Sequence, residues 1–90
     1  MKEALQGMVG KDIVVDTRSP WMYIGKLAEV QSDSLLLIDV DVHDSGETPL
    51  PRERYVLAAC ETGIKANRRS VYVSLDYVVS ASLLSEVIRY

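Results

Sequence analysis

The chain has 90 residues, 48% of them apolar and 26% charged, with a formal net charge of −3 and a single cysteine. This length and composition predict one ordinary globular domain, residues 1–90, and exclude disordered, collagen-like and coiled-coil proteins and the globally basic non-specific nucleic-acid binders. Because the chain has no disulfide framework, no apolar run of membrane-spanning length and no signal-length segment, we expect a cytoplasmic protein.

Hydrophobic alternation with a period of two predicts two strands near the start of the chain. Ile13 and Val15 mark the first strand, which ends at the turn residues 17–20. Residues 21–30, rich in aromatic and branched side chains, form the second strand. Gly25 interrupts this strand, as glycine does at a sharp bend or a β-bulge. We therefore expect a long second strand with a kink.

A third strand follows the polar turn 31–34 and covers residues 35–42. Strict alternation places one set of side chains on one face, Leu36, Ile38, Val40 and Val42, and a second set on the other, Leu35, Leu37, Asp39, Asp41 and His43. Leu35 and Leu37 are apolar on a face that is otherwise polar. They therefore need cover from a helix or from a neighbouring subunit.

The hydrophobic period changes after a Gly- and Pro-containing surface loop at residues 44–51. In residues 52–62 the spacing of Tyr55, Val56, Ala59 and Cys60 gives one apolar stripe of a helix. Pro51 is suited to the start of that helix, and Gly63 followed by an apolar residue is suited to its end. The sequence therefore predicts one short helix inserted between strands.

Alternation returns in the last third of the chain. Val71 and Val73 belong to a fourth strand, the pattern breaks at residues 76–77, and a fifth strand covers residues 78–82. The apolar residues that follow, Leu83, Leu84, Val87 and Ile88, fit a helical turn and an extended strand equally well. Five short strands with helices at their margins predict a mainly β protein, a small and strongly bent antiparallel barrel.

Short motifs occur in a fixed order along about two thirds of this sequence. The first motif consists of Leu5, Val9-Gly10-Lys11, Ile13, Val15, Gly25-Lys26-Leu27 and the run Leu35–Val42, and the second of Val71-Tyr72-Val73, Leu75-Asp76-Tyr77 and Val78-Val79. In this order they resemble the Sm and Sm-like family, including its bacterial RNA-chaperone branch. The resemblance implies an SH3-like barrel capped by an N-terminal helix. It also implies rings in which the fourth strand of one subunit pairs with the fifth strand of the next, and RNA bound around the central pore.

The chain departs from the family at the loops that would bind RNA. Where the family has an Asp and then an Asn after the second strand, this chain has Gln31 and, depending on the alignment, Leu35 or Ser34. Where the family has a basic residue at the exit of the fourth strand, this chain has Ser74. The resemblance makes Gln31, Ser34 and Ser74 the pore-loop candidates. The inserted helix occupies a position where the family usually has a short or variable loop.

Two groups of side chains could in principle carry chemistry, namely Asp39, Asp41 and His43 on the third strand, and Cys60 with His43. Asp39, Asp41 and His43 alternate along one strand, so their side chains start about 6.5 to 7 Å apart, whereas hard-metal ligands converge within about 2 to 2.6 Å of one ion. We expect a solvated or interface face there rather than a metal site. Cys60 and His43 lack a surrounding catalytic motif, and Cys60 lies on the apolar stripe of the helix. We therefore expect no catalytic residue, metal or cofactor.

Charge and aromatic residues supply the remaining candidates. Residues 28–47 carry six acidic side chains and no basic one, whereas residues 52–69 carry two acidic side chains and five basic ones, Arg52, Arg54, Lys65, Arg68 and Arg69. Either these five contact RNA phosphates, or they complement the acidic third strand within a subunit or across a ring interface. Trp21 and Tyr23 either stack on bases or belong to the core.

Two functional hypotheses follow. The first is a non-enzymatic Sm-like homo-oligomer, a ring, with single-stranded RNA as its ligand. The second is a structural or protein-interaction module on the same barrel that has lost RNA binding. A chain this small gains stability from association, and the interface candidates are Leu35, Leu37, Val71, Val73, Val78 and Val79. We expect neither a membrane partner nor a small-molecule substrate.

Overall fold

The computed structural model describes residues 1–46 and 51–89. The elements in chain order are α1 (Lys2–Gln6), β1 (Asp12–Thr17), β2 (Trp21–Val30), β3 (Ser34–Asp44), α2 (Arg52–Thr62), β4 (Arg68–Ser74), a 3₁₀ turn (Leu75–Tyr77), β5 (Val78–Leu83) and a second 3₁₀ turn (Leu84–Glu86). The five strands form one antiparallel sheet in the order β4-β3-β2-β1-β5. The mainly β fold class and the inserted helix are therefore confirmed.

Residues 47–50, which belong to the surface loop predicted at 44–51, lie outside the described part of the chain, as does Tyr90. Within residues 1–46 and 51–89, no helix is long and apolar enough to cross a membrane.

One face of the sheet curls around a closed apolar core. Its buried side chains come from α1 and from all five strands: Leu5, Ile13, Val15, Leu27, Leu35, Leu37, Val40, Val73 and Val78. A flat sheet could not bring the edge strands β4 and β5 into contact with the same cluster, so the sheet is strongly bent, as predicted. Leu5 places the N-terminal helix against this core.

The cover predicted for Leu35 and Leu37 comes from inside the chain and not from a neighbouring subunit, which was the second of the two alternatives. Both side chains are completely buried inside the chain, where the curled sheet and Leu5 of α1 supply their cover. Their burial removes one of the reasons for expecting self-association. It also removes these two side chains from the set that a partner subunit could touch.

A β-bulge opposite Gly25 bends β2 and β3. Ile38 pairs with Lys26 and Asp41 pairs with Ile24, so Asp39 and Val40 together oppose Gly25. Asp39 adopts a φ of 50°, the left-handed region that such an extra residue can occupy. A Cβ added at Gly25 would lie 3.1 Å from Val40 Cγ2 and 3.2 Å from both the Ile38 carbonyl oxygen and Val40 Cα. Glycine is needed here because the bulged strand passes too close for a side chain.

Beyond Asp39 the bulge exchanges the inward-facing and outward-facing side chains of β3. The faces predicted from strict alternation are therefore wrong for this part of the strand. Val40 and Val42 turn into the barrel, together with Leu35 and Leu37. Asp41 and His43 turn outward, but α2 lies over that face, and both side chains are buried. The expected solvated or interface face at these two residues is therefore wrong, because α2 covers them.

Helix α2 covers the outer face of the barrel. A second apolar cluster joins Val56 and Ala59 of α2 to Val14, Met22 and Ile24 of the sheet, with Tyr55, Ile64, Leu84 and Val87 packed around it. The predicted inward stripe is confirmed, since Val56 and Ala59 are buried and Tyr55 and Cys60 are half-buried. At the end of α2, Gly63 has a φ of 89° and donates its N–H to the Ala59 carbonyl at 3.0 Å. The C-terminal segment forms a 3₁₀ turn rather than a strand.

Candidate functional site

The three pore-loop candidates lie together at one end of the barrel. Ser34 and Ser74 are opposite each other in the β3–β4 pair, and the Ser34 hydroxyl donates to the Gln31 side-chain carbonyl at 3.1 Å. The two loops are joined by a hydrogen bond from the Leu75 N–H to the Asp33 carbonyl at 2.9 Å. This leaves the amide nitrogen of Gln31 and the hydroxyl hydrogen of Ser74 as donors that an outside acceptor can use.

A groove lined by tyrosines adjoins the same end. It has a volume of about 230 Å³ and is lined by Tyr23, Tyr72 and Tyr77, together with Thr17, Ser19, Val73 and Ser74. Tyr72 is 63% exposed and Tyr77 58% exposed, so both aromatic faces are accessible. Flat aromatic surfaces beside hydroxyl groups suit stacking on an unpaired base and hydrogen bonding to its edge.

Sequence reasoning identified only part of this groove. Tyr23 is half-buried and packs against the barrel core, which was one of the two alternatives, and it also lines the groove. Trp21 is exposed and is not among the lining residues of the groove. Tyr72 and Tyr77 were missed as candidates. Their positions in the sequence could have indicated them. Tyr72 alternates with the inward-facing valines of β4, and Tyr77 lies at the corner before β5.

The five basic candidates do not form one patch. Arg52 and Arg54 belong to the first turn of α2, Lys65 follows the end of that helix, and Arg68 and Arg69 begin β4. Arg52 Nη1 lies 3.0 Å from Asp16 Oδ1, which makes it part of an ion pair with the first strand rather than with the acidic third strand. Arg68 and Arg69, here called the basic pair, are exposed and adjacent at the start of β4, where their side chains leave opposite faces of the strand.

The basic pair and the pore loops occupy opposite ends of β4. Arg68 pairs with Val40, whereas Ser74 pairs with Ser34 at the other end of the strand. At about 3.3 Å per residue, the two positions are about 20 Å apart. Residues 29–36 and 72–79, which form the loop end, contain three acidic side chains and no Lys or Arg. These two segments can supply base contacts but carry no cation, whereas the exposed Arg18, whose N–H donates to the Tyr77 carbonyl at 2.9 Å, lies beside the tyrosine groove.

Asp41, His43 and Tyr55 form a buried polar cluster between β3 and α2. The rings of His43 and Tyr55 are stacked, with centroids 3.7 Å apart and an interplanar angle of 22°. Burial first, and then a hydrogen bond to the Asp41 carboxylate and its negative charge, raise the pKa of the Tyr55 hydroxyl far above its ordinary value. The Asn67 amide also donates to Asp41 Oδ1 at 3.4 Å. This cluster fixes α2 to the sheet, with Tyr55 protonated at all physiological pH values.

The structure contains no grouping that suits a metal or a cysteine–histidine pair in the described residues. No set of three or more His, Cys, Asp or Glu side chains in residues 1–46 and 51–89 is arranged to hold a metal ion. His43 contacts the Tyr55 ring, whereas the Cys60 thiol points toward the Leu84 carbonyl at 3.6 Å. The two residues therefore have different neighbours.

Four interface candidates remain on the strands at the two sheet edges. Val73 and Val78 are buried, Val71 is half-buried and Val79 is 58% exposed. Only Val79 offers a fully accessible side chain to another subunit. What the edge strands offer instead is their main chain, because β4 and β5 stand at the two ends of the strand order in the described sheet.

Similarity to known proteins is confined to the fold. No protein-family model and no curated protein matches this sequence. Among solved structures, the chain is similar to an Sm protein of Pyrococcus abyssii in complex with a uridine heptamer, with 15% identity, a TM-score of 0.62, and coverage of 90% of this chain and 93% of that chain. It is also similar to a chain of the NatC complex bound to Gag peptide and CoA, with 18% identity, a TM-score of 0.56, and coverage of 86% of each chain.

A second NatC structure, bound to CoA, gives 18% identity and a TM-score of 0.55, with coverage of 86% of this chain and 79% of that chain. These likenesses agree with the strand order, the bent sheet and the N-terminal helix described above. The chain therefore has the Sm-like fold that the sequence resemblance implied, with α2 inserted between β3 and β4.

Proposed function

We propose that the protein is a non-enzymatic Sm-like subunit that assembles with copies of itself and contacts single-stranded RNA. The observation that carries the proposal is the position of β4 and β5 at the two edges of one sheet. Each edge presents unpaired main-chain donors and acceptors, which favour addition of another strand. Pairing β4 of one copy with β5 of the next is a head-to-tail contact, and such contacts close into a ring when the rotation between subunits allows it.

Assembly is tested by mass in solution. We expect light scattering to give a mass several times the 10.0 kDa of one chain. Val79→Asp places a charge on the β5 edge at an exposed side chain, so it should weaken assembly and leave the fold intact. Val9→Asp, also at an exposed valine but in the turn after α1, is the matched control and should keep the wild-type mass. A wild-type mass near 10.0 kDa at every concentration contradicts the proposal.

RNA contact is proposed to divide between the two ends of β4. Bases stack in the tyrosine groove and hydrogen-bond to Gln31 and Ser74, while phosphates contact Arg68 and Arg69. The likeness to an Sm protein in complex with a uridine heptamer supports RNA as the ligand class. Because residues 29–36 and 72–79 carry no Lys or Arg, affinity comes mostly from the basic pair, and selectivity among base sequences is weak.

Salt-dependent titration of uridine-rich and adenine-rich RNA tests this arrangement. Affinity should fall by about 0.7 units of log K per phosphate contact for each log unit of salt. Arg68→Ala with Arg69→Ala should lower affinity about equally for both RNAs and flatten this slope. Lys2→Ala removes an exposed cation from α1 and should change neither quantity. Strong discrimination between the two RNAs, or an unchanged affinity in the double variant, contradicts phosphate-dominated binding.

The second candidate function is a structural subunit of a protein assembly without RNA binding. Two observations favour it: the acidic loop end, and the likeness to a chain of the NatC complex. The same titration separates the two functions. A protein that assembles but binds neither RNA at low salt, where phosphate contacts are strongest, is a structural module.

A further inference from the structure

A cleft of about 590 Å³ lies between the end of α2, the start of β1 and the segment that follows β5. Its apolar lining consists of Ala59, Ile64, Leu84 and Val87, all of which belong to the second apolar cluster or pack against it. This volume falls within the range of about 300 to 1,000 Å³ that is usual for small-molecule sites. The cleft is separate from the tyrosine groove and from Arg68 and Arg69.

Three basic side chains surround this apolar lining. Lys11 precedes β1, Lys26 lies on β2 and Arg89 belongs to the C-terminal segment, and all three line the cleft and are exposed. Within the described residues, none of the three has a carboxylate oxygen within 4.0 Å, since the ion pair found there joins Arg52 to Asp16. Their charges are therefore available to a ligand.

Negative groups near the cleft are fewer. Asp12 is the acidic side chain among the described lining residues, and it stands opposite Lys26 in the β1–β2 pair. The C-terminal end of α2 adds a partial negative charge of about half a unit. The three cations outweigh both, so the lining of the cleft is net positive and partly apolar.

We propose that this cleft binds a phosphate monoester attached to a nucleoside. A monoester carries a charge of about −1.5 to −2 at neutral pH, which matches a cluster of several cations better than a single carboxylate does. The phosphate lies among Lys11, Lys26 and Arg89, and the nucleoside covers the apolar lining. The same chemistry is presented by a free nucleoside monophosphate and by the 5′-phosphorylated end of an RNA strand.

Sequence reasoning did not reveal this site. Lys11 and Lys26 occur in the first family motif and Arg89 lies in the C-terminal segment, whereas the five basic residues singled out from the sequence lie elsewhere. Pairing of β1 with β2 brings Lys11 and Lys26 close together, and Arg89 lines the same cleft. No sequence motif indicated a small-molecule ligand, because the cleft forms only when these distant segments pack together in the fold.

Cys60 provides a direct measure of occupancy. It is the only cysteine of the chain, it is half-buried and it lines the cleft. Uridine monophosphate at saturating concentration should slow alkylation of Cys60 by iodoacetamide, while uridine at the same concentration should not. Calorimetry gives the corresponding dissociation constant. An unchanged alkylation rate with uridine monophosphate and with phosphorylated RNA, or equal protection by uridine, overturns the proposal.

Variants identify the groups responsible. Lys26→Ala and Arg89→Ala should each weaken binding of uridine monophosphate about tenfold, the usual loss for one charge-assisted contact. Lys2→Ala removes an exposed cation outside the cleft and should leave it unchanged. Because all three side chains are exposed, these substitutions should not unfold the chain. Equal weakening by Lys2→Ala also contradicts the proposed site.

Two RNA probes separate the sources of the phosphate. A short oligonucleotide with a 5′-phosphate and the same oligonucleotide with a 5′-hydroxyl are compared for protection of Cys60. Protection by uridine monophosphate alone identifies a free-nucleotide site, and protection by the phosphorylated RNA identifies a strand-end site. The Arg68→Ala, Arg69→Ala double variant should retain protection by uridine monophosphate, so failure of RNA binding along β4 and failure of this cleft are distinguishable.

Discussion

Replacing Ala59 by Asp should lower the free energy of unfolding by about 3 kcal/mol or more, because it puts a carboxylate into the apolar contact between α2 and the sheet. Ala59 is buried on the inner face of α2, where it packs with Val56 against Val14, Met22 and Ile24 of the sheet. A carboxylate at that position must be desolvated or must push α2 away from the barrel. Either response removes much of the stability of a small domain.

The neighbouring alanine of the same helix supplies a matched control. Ala58 is exposed, so Ala58→Asp introduces the same charge and nearly the same helix propensity into water. Its effect should stay within about 1 kcal/mol. Chemical denaturation of both variants, followed by circular dichroism, measures the difference. Equal stabilities would show that α2 does not rest on the barrel through Ala59.

Helix α2 illustrates what the sequence reveals about this fold. Its bounds, Arg52–Thr62, are those predicted, because three independent signals agree: the apolar stripe, Pro51 before the first turn and Gly63 after the last. The second strand, Trp21–Val30, was equally clear from its branched and aromatic residues. Local propensity and hydrophobic period point in the same direction at these elements, so no tertiary information was needed.

β3 shows where such reasoning fails. Its bounds were predicted to within two residues, yet the faces beyond Asp39 were assigned the wrong way round. Alternation predicts the two faces of a strand only when no extra residue is inserted. Gly25 indicated a kink in β2, but the extra residue that the bulge inserts into the partner strand β3 was not predicted. Asp41 and His43 looked solvated as polar residues, but α2 and Tyr55 bury them. Only the packing of two distant segments decides that outcome.

The candidate site was predicted in the same uneven way. Gln31, Ser34 and Ser74 lie close together in the structure, as the resemblance to the family implied. The basic residues were grouped by their closeness in sequence, and the fold separates them along a helix and a strand. The cations of the cleft show the converse, since residues far apart in sequence meet there. The charges of a sequence segment do not show which side chains share one surface, because that depends on the path of the folded chain.

Leu37→Ala should lower the free energy of unfolding by about 2 to 5 kcal/mol, the range for removing a large aliphatic side chain from a close-packed core. Leu37 is completely buried among Leu5, Ile13 and the other inward-facing residues of the barrel. Leu36, the adjacent residue on β3, is half-buried and points away from that core, so Leu36→Ala should cost clearly less.

The dependence on protein concentration distinguishes a core residue from an interface residue. If Leu37 is covered inside its own chain, the loss of stability in Leu37→Ala is the same at every protein concentration, and the subunit dissociation constant does not change. If a neighbouring subunit supplied the cover, the variant would instead dissociate more readily and regain stability as concentration rises. Thermal unfolding over a hundredfold range of concentration, with Leu36→Ala measured in parallel, decides between the two. We expect the first result, because the barrel closes around Leu37 before any subunit is added.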